Sequence, residues 1–246
     1  MVMSHFRNSL EYGSLVYSRV DIAYGNASIF YHYRDKSDLT IKHMADNNPY
    51  KSEQTLVIIK PDGIQRTLIG EIIRRYERMS LKLVGLKILV ATPELVEEHY
   101  MIDPEWKRIV GVKAIETYKK QGKTPPYTDP LKVGDRVLDT LKTYMTSGPM
   151  IAMVWQGAHA VEIIRKITGG TEPRASDVGT IRGDYVLDSY EMADLDNRSI
   201  RNLIHASGSV DEAKKEIELW FDKKELIDYK LIAEQIIYST TIEGLL

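Results

Sequence analysis

Four short apolar runs, separated by segments of helical period, constrain the fold of this chain more than any other feature. Each run has the length and apolar content expected of a buried strand: TLVIIK (55–60), LKLVGLKILVA (81–91), GPMIAMVW (148–155) and NLIH (202–205). The apolar residues of segments 69–76 and 158–167 recur on one face of a helix. The chain is therefore expected to alternate short strands with helices that pack on them.

The order of these elements is βαββαβ with extra helices, and this order indicates the fold class. It does not match an alternating doubly wound sheet. It fits an α+β fold, a ferredoxin-like sandwich in which a four-stranded, mostly antiparallel sheet has helices packed on one face. Gly85 predicts a bulge in the second strand. Thr92 and Pro93 predict the start of a helix, as the N-cap and the first helical residue.

Residues 1–50 have a different character from the rest of the chain. They mix tyrosines with Ser, Asn, Arg and Asp without a sustained period, and they end in the polar run 46–49. We expect a poorly structured extension, or a true start at Met44 that makes residues 1–43 an artefact of the gene model. The remaining residues, 51–246, are expected to form a single domain.

Composition excludes several classes of protein. The net charge of −2 gives no global basic field for nucleic acid or an anionic membrane. The absence of cysteine removes disulfides and thiolate chemistry. No window reaches the roughly 18 uncharged apolar residues of a spanning helix, and the N-terminus lacks the apolar core of a secretory signal. A cytoplasmic protein is expected.

The segment RNLIHASGSVDEAKKEIELWF (201–221) places His205 at the end of a short apolar run, just before an amphipathic helix. Ser209 and Glu212 predict a capping box at the start of this helix. The helix is expected to pack on the sheet through one stripe: Val210, Ala213, Ile217 and Trp220. Its N-terminus favours anions and disfavours a protonated histidine, so His205 is suited to attack a phosphoryl group.

A packed, hydrogen-bonded histidine explains the same segment without any catalysis. His99 and His159 lie in helical patterns with no loop of small residues beside them. We therefore predict that both are structural or solvent-facing.

Several residues could contact a phosphate near His205. Lys60 ends the first strand, Arg165 lies on a core helix, Thr171 and Arg182 lie in the long loop 169–185, and Asn202 precedes the histidine. Arginine is well suited to bidentate phosphate contacts, although each of these residues alone is more simply a surface group. The sequence has no P-loop, no G-x-G-x-x-G helix start and no protein-kinase motif set. It also has no pair of histidines or carboxylates at metal-ligand spacing.

The motifs of this chain resemble, in their order and in their residues, those of the nucleoside diphosphate kinases. The similarity covers 54–221 and includes TLVIIKPDGIQRTLIGEIIRRYE, SGPMIAMVW, VGTIRGDY and NLIHASGSVDEAKKEIELWF. The resemblance implies a ferredoxin-like fold and a ping-pong reaction. One nucleoside triphosphate phosphorylates a histidine, which then phosphorylates a different diphosphate and so maintains NTP and dNTP pools.

The same resemblance implies roles for individual residues. His205 is the phosphorylated nucleophile, Glu216 orients its imidazole through the far nitrogen, and Ser207 supports the reacting centre. The nucleotide-contacting positions are Lys60, Tyr100, Arg165, Thr171, Arg182 and Asn202. Mg²⁺ is expected to be held by the nucleotide phosphates, with no direct protein ligand. The chain is expected to be a homo-oligomer, a hexamer or a tetramer.

Two insertions depart from the family pattern, a helical one at about 102–136 and a loop at about 186–200. In common members an aromatic residue of the connector between Tyr100 and Pro149 packs on the base. Here the nearest aligned positions are Val137 and Leu138, so the base contact is the least defined part of the predicted site.

Two other classes of function stay open on the sequence. One is a binding or regulatory protein of this fold, such as a nucleic-acid binder, against which the complete residue set and the net charge argue. The other is a phosphatase or mutase that uses a phosphohistidine. Such an enzyme needs a second acid–base group near His205, and none stands out.

Overall fold

The computed structural model describes residues 49–239, and the predicted extension lies almost entirely outside them. Four strands form one sheet in the order β2-β3-β1-β4, with antiparallel pairing throughout. The strands are β1 (Gln54–Ile59), β2 (Lys82–Leu89), β3 (Met150–Gln156) and β4 (Ile204–Ala206). This order confirms the ferredoxin-like α+β fold.

Ten α-helices connect and flank these strands within the described residues. They are α1 (Pro61–Gln65), α2 (Ile69–Glu77), α3 (Pro93–Tyr100), α4 (Trp106–Lys120), α5 (Pro130–Met145), α6 (Ala160–Thr168), α7 (Ile181–Tyr185), α8 (Tyr190–Leu195), α9 (Val210–Trp220) and α10 (Ile232–Ile237). None of them is long and apolar enough to cross a membrane.

Helices cover both faces of the sheet, so the expectation of helices on one face was wrong. On one face Trp155 of β3 packs with Tyr76 of α2 and Ile164 of α6. On the other face Val154 packs with Val96 of α3 and Trp220 of α9. Continuous apolar runs, rather than alternating ones, mark strands that are buried on both sides, and β1 and β3 have that pattern.

Local sequence signals account for most of the element boundaries. The pairing of β2 with β3 shifts register between Leu83 and Gly85, which confirms the bulge. Thr92 caps α3 by accepting the backbone N–H of Leu95 at 3.2 Å. The segment 169–185 was predicted to be a loop, but it contains α7. Thr180 caps this helix, because its hydroxyl accepts the N–H of Gly183.

The helical insertion forms a tight hairpin of α4 and α5. A side-chain carbon at Gly111 would overlap the carbonyl group of Pro130, and one at Gly134 would overlap that of Lys107. The two backbones can approach this closely only because both positions lack a side chain. The hairpin therefore depends on two glycines as well as on buried apolar residues such as Val133 and Leu138.

We expect Gly111→Ala to lower the free energy of unfolding by about 1–3 kcal/mol, because backbone atoms cannot move aside as a flexible side chain can. Gly70→Ala is the matched control. Gly70 lies in α2, and a methyl group there would meet no neighbouring atom of the described residues within 4 Å, so alanine should stabilise by roughly 0.5 kcal/mol. Denaturant unfolding measures both. Equal stability of the two variants would contradict the hairpin packing.

Candidate active site

A strained turn brings the main predicted residues together. Leu203 has φ +64°, a conformation that favours glycine, and the N–H of Ile204 donates to the carbonyl of Asn202 at 2.7 Å. The N–H of Lys60 donates to the carbonyl of Leu203 at 2.8 Å, and the Leu203 side chain is fully buried. These contacts hold the turn, which places Asn202 and His205 on either side of one bend.

Two carboxylate contacts fix the surroundings of His205. Its Nε2 lies 2.8 Å from Oε1 of Glu216, although the N–H axis is not aligned on that oxygen as in a hydrogen bond. The other oxygen of Glu216 accepts the hydroxyl of Ser207 at 2.6 Å. Ser207 in turn accepts the N–H of Leu56 at 3.1 Å, which anchors this chain of contacts to β1. The nitrogen Nδ1 of His205 is left for a ligand.

The helix that carries Glu216 is capped in a slightly different way from the prediction. Ser209 accepts the N–H of Glu212 at 3.1 Å, as expected, but the Glu212 carboxylate accepts the N–H of Gly208 rather than that of Ser209. Val210 is 39% exposed, so it does not belong to the buried stripe. Glu216 takes a place in that stripe, because it faces the histidine instead of water.

Burial and neighbouring cations keep His205 neutral. Desolvation lowers the pKa of His205 well below its usual value, and the positive charges of Lys60 and Arg182 lower it further. Burial raises the pKa of Glu216, while His99 and the hydrogen bond from Ser207 oppose that rise. An unprotonated imidazole beside a buried carboxyl is the form that can act as a nucleophile.

Lys60 is a buried cation that points at the same bend. Its Nζ donates to Oδ1 of Asn202 at 2.8 Å and lies 5.2 Å from the centre of the Tyr144 ring. Only 4% of the residue is exposed. Burial and the charge of Arg182 lower the pKa of Lys60 to about 7, so its charge is sensitive to pH near neutrality.

Arg182 is bound mainly by backbone carbonyls. Its guanidinium donates to the carbonyls of Gly169 and Gly170 at 2.9 Å each, of Asn202 at 3.2 Å and of Ile204 at 2.6 Å. These bonds use four of its five N–H donors. One N–H on Nη2 is left for a phosphate.

The remaining predicted residues surround this centre at different depths. Arg165 is exposed, and a side-chain carbon at Gly208 would lie 3.8 Å from its Nη1, so its guanidinium stands over the loop that follows His205. The side-chain Nδ2 of Asn202 donates a hydrogen bond to the backbone carbonyl of Thr171 at 3.0 Å. Tyr100 packs its ring on Trp106, with centroids 5.1 Å apart.

Val137 lies apart from these residues. It lines a cavity of about 70 Å³ between α4, α5 and α8, together with Tyr118, Arg136 and Asn197. No other predicted site residue lines that cavity. The structure therefore gives no contact that joins Val137 to the group around His205.

His99 is buried beside His205, which fits the expectation of a structural residue and excludes a solvent-facing one. Its ring centre is 4.4 Å from that of His205, with the planes at 83°, and Nδ1 is 3.6 Å from Oε1 of Glu216. Trp220 donates its indole N–H to the same Nδ1 at 3.2 Å. The helical pattern around His99 could not show that this helix covers the part of the sheet that carries His205. Its position next to Tyr100 was the one available signal.

Comparison with known proteins gives a consistent result. The family model described as nucleoside diphosphate kinase matches residues 53–107 and 107–226. A nucleoside diphosphate kinase from Pyrobaculum aerophilum is 44% identical over 180 residues, which cover 72% of this chain and 98% of that protein.

Two solved structures show the same fold. The crystal structure of an NDP kinase from P. aerophilum has a TM-score of 0.70 at 42% identity and covers 72% of this chain and all of that chain. A nucleoside-diphosphate kinase from Borrelia burgdorferi, solved as a transition state mimic with bound vanadate and ADP, has a TM-score of 0.62 at 32% identity. It covers 75% of this chain and 96% of that chain.

The lowered pKa of Lys60 predicts a pH-dependent affinity for anions. A lysine is charged below its pKa, so affinity for inorganic pyrophosphate should fall by roughly tenfold between pH 7 and 8.5 as Lys60 loses its proton. Lys60→Arg stays charged throughout and serves as the control for the ionisation of pyrophosphate itself. Calorimetric titration measures both proteins. A parallel pH dependence of wild type and Lys60→Arg would contradict a titrating lysine in the site.

Proposed function

The chain belongs to the nucleoside diphosphate kinase family and transfers the terminal phosphate of a nucleoside triphosphate to a nucleoside diphosphate, and we propose that His205 carries the phosphate between the two. The observation that supports this role most directly is the neutral imidazole of His205, with Nε2 against Glu216 and Nδ1 free. The ADP and vanadate in the Borrelia relative fit the same assignment.

In the first half-reaction the lone pair on Nδ1 attacks the γ-phosphorus. The bond from that phosphorus to the bridging oxygen breaks, and its electron pair leaves with the diphosphate product. The imidazole becomes positively charged, and Glu216 stabilises it through the proton on Nε2. The second half-reaction is the reverse, with a different nucleoside diphosphate as the acceptor, which gives ping-pong kinetics.

Cations around the bend stabilise the phosphoryl oxygens as charge spreads over them. We assign this role to Lys60, Arg165 and the remaining N–H of Arg182. Asn202 positions Lys60 through its amide oxygen. Tyr100 and Thr171 are assigned to the wall of the nucleotide site, and Val137 to the base end, on the strength of the resemblance alone.

Mg²⁺ is proposed as part of the nucleotide substrate. The carboxylates near the site are already engaged: Glu216 by Ser207, Glu212 by Gly208 and Asp62 by Tyr144. Such a donor set does not form a protein cage for Mg²⁺, but it leaves room for an ion that retains its water and phosphate ligands. When bound, Mg²⁺ neutralises charge on the phosphates.

We further propose that residues 51–246 form one kinase domain that acts in the cytoplasm to balance nucleoside triphosphate pools. The helical insertion at about 102–136 corresponds to α4 and the first part of α5. The loop insertion at about 186–200 contains α8.

A labelling experiment tests the role of His205. Incubation with ATP labelled on the γ-phosphate should give an acid-labile, alkali-stable label, which a second nucleoside diphosphate removes. His205→Ala should show no label above background, because Nδ1 is the only atom assigned to accept the phosphate. His159→Ala, at the N-cap of α6, is the matched control and should label like wild type. Equal labelling of His205→Ala would refute the assignment.

The outer edge of β2 supports the proposed homo-oligomer along its second half. Among the described residues, β3 is the strand that pairs with β2, while the N–H of Ile227 donates to the carbonyl of Val84 at 2.8 Å and covers the first half of that edge. Three apolar residues along it or at its end are largely exposed: Leu86 at 49%, Ile88 at 65% and Val90 at 62%. An apolar edge strand is a ready surface for a second copy of the chain.

We expect Ile88→Lys to reduce the mass of the assembly in solution, because a buried unpaired ammonium at a copy-to-copy contact costs several kcal/mol. Val178→Lys is the control, since Val178 is 94% exposed and lies in a turn that is not part of β2. Light scattering measures both variants. An unchanged mass for Ile88→Lys would place the contact elsewhere.

A further inference from the structure

His99, His205 and Glu216 form a compact group of metal-ligating side chains. One ligand atom of each lies within 4.8 Å of the others, and all three side chains are largely buried. Only the His205 side chain has appreciable exposure, at 15%. Phosphoryl transfer, as proposed above, uses Nδ1 of His205 and gives no ligand role to His99.

The separations within this group are compatible with three ligands of one metal ion. In a tetrahedral zinc site with bonds near 2.0 Å, neighbouring ligand atoms are about 3.3 Å apart. The two distances to Oε1 of Glu216 are 2.8 Å from His205 and 3.6 Å from His99, on either side of that value. Nε2 of His205 is buried, and no hydrogen bond from the described residues aligns with it. An ion bound by these side chains would take the place of the proton between Nε2 of His205 and Oε1 of Glu216.

We propose that His99, His205 and Glu216 bind a borderline divalent cation, Zn²⁺, and that the bound ion stops phosphoryl transfer. Two imidazoles and one carboxylate suit Zn²⁺ and do not suit Mg²⁺, which prefers oxygen ligands. The binding itself is independent of the proposed function. Its inhibitory effect rests on the assignment of His205 as the nucleophile.

Inhibition follows from the two nitrogens of one imidazole ring. A neutral histidine carries a single proton, and a metal on Nε2 requires that proton to reside on Nδ1. Nδ1 then has no lone pair with which to attack phosphorus. The ion would therefore block the chemical step without occupying the place of the nucleotide phosphates, which lie on the other side of the ring.

Trp220 provides a natural reporter of this event. Its indole N–H donates to Nδ1 of His99, the atom that lies nearest to Glu216. An ion bound to Nδ1 displaces that donor, because the lone pair cannot serve both. The positive charge of Lys60 near His205 opposes a second cation, so binding is expected to be reversible and weaker than in a structural zinc site.

Zinc titration of the full-length, unphosphorylated protein without nucleotide tests the site directly. Calorimetry should show one saturable event below roughly 100 µM, accompanied by a change in tryptophan fluorescence that Trp220→Phe abolishes. His99→Gln and Glu216→Gln should each weaken the event at least tenfold. His159→Gln should leave it unchanged, since that residue lies outside the group. Absence of the event, or its persistence in His99→Gln, would overturn the proposal.

The second experiment tests inhibition by Zn²⁺ and measures the kinase reaction in excess Mg²⁺. Zn²⁺ should lower kcat while KM for the nucleotides stays constant, and a chelator should restore the rate. A rise in KM alone would show that zinc competes through the nucleotide and would refute the tautomer mechanism. If His205 does not become labelled by ATP, the binding titration still decides the metal site, so the two proposals fail separately.

Discussion

The buried guanidinium of Arg182 is the constraint on which the rest of the site depends. A cation can be buried only when its donors are satisfied, and here the satisfying groups are carbonyls of the loop at 169–170, of the turn at Asn202 and of β4. One side chain therefore braces the loop, the turn and β4 together, and the side-chain amide of Asn202 adds a second link between the turn and the loop through the carbonyl of Thr171. Its charge also contributes to the lowered pKa values of Lys60 and His205. The same residue sets the shape and the electrostatics of the site.

Sequence patterns were sufficient for the sheet and for the elements that carry the site. The four apolar runs gave the strands to within a few residues, because buried strands need continuous apolar segments whatever their neighbours are. The family resemblance assigned Glu216 to the imidazole, and helical spacing after the capped start of α9 is consistent with its direction towards His205.

Other features depend on tertiary contacts that no local pattern encodes. Helices on both faces of the sheet follow from the chain path between strands, and the place of His99 follows from that arrangement. The sequence also could not predict that Arg182 donates to four backbone carbonyls. An arginine in a glycine-rich loop has the same local signature whether it binds a phosphate or the backbone.

The two insertions contact each other. Arg136 of α5 donates to Asn197, which follows α8. Burial and the nearby carboxylate of Asp194 in α8 raise the pKa of Tyr118 in α4. Both pairs of residues lie at the cavity that Val137 lines. An insertion that packs on another insertion adds surface without disturbing the buried cations and the histidine, so the sequence can vary there while the chemistry is kept.

The turn at Leu203 has a consequence for how this protein would lose activity. Its left-handed backbone is maintained by a buried leucine and by hydrogen bonds to neighbouring segments, and not by the intrinsic preference of a glycine. Any condition that loosens those neighbours lets the turn relax before the sheet separates. Asn202 and His205 then lose their alignment while the secondary structure is still intact. Catalytic rate is thus a more sensitive indicator of damage to this molecule than its helix and strand content.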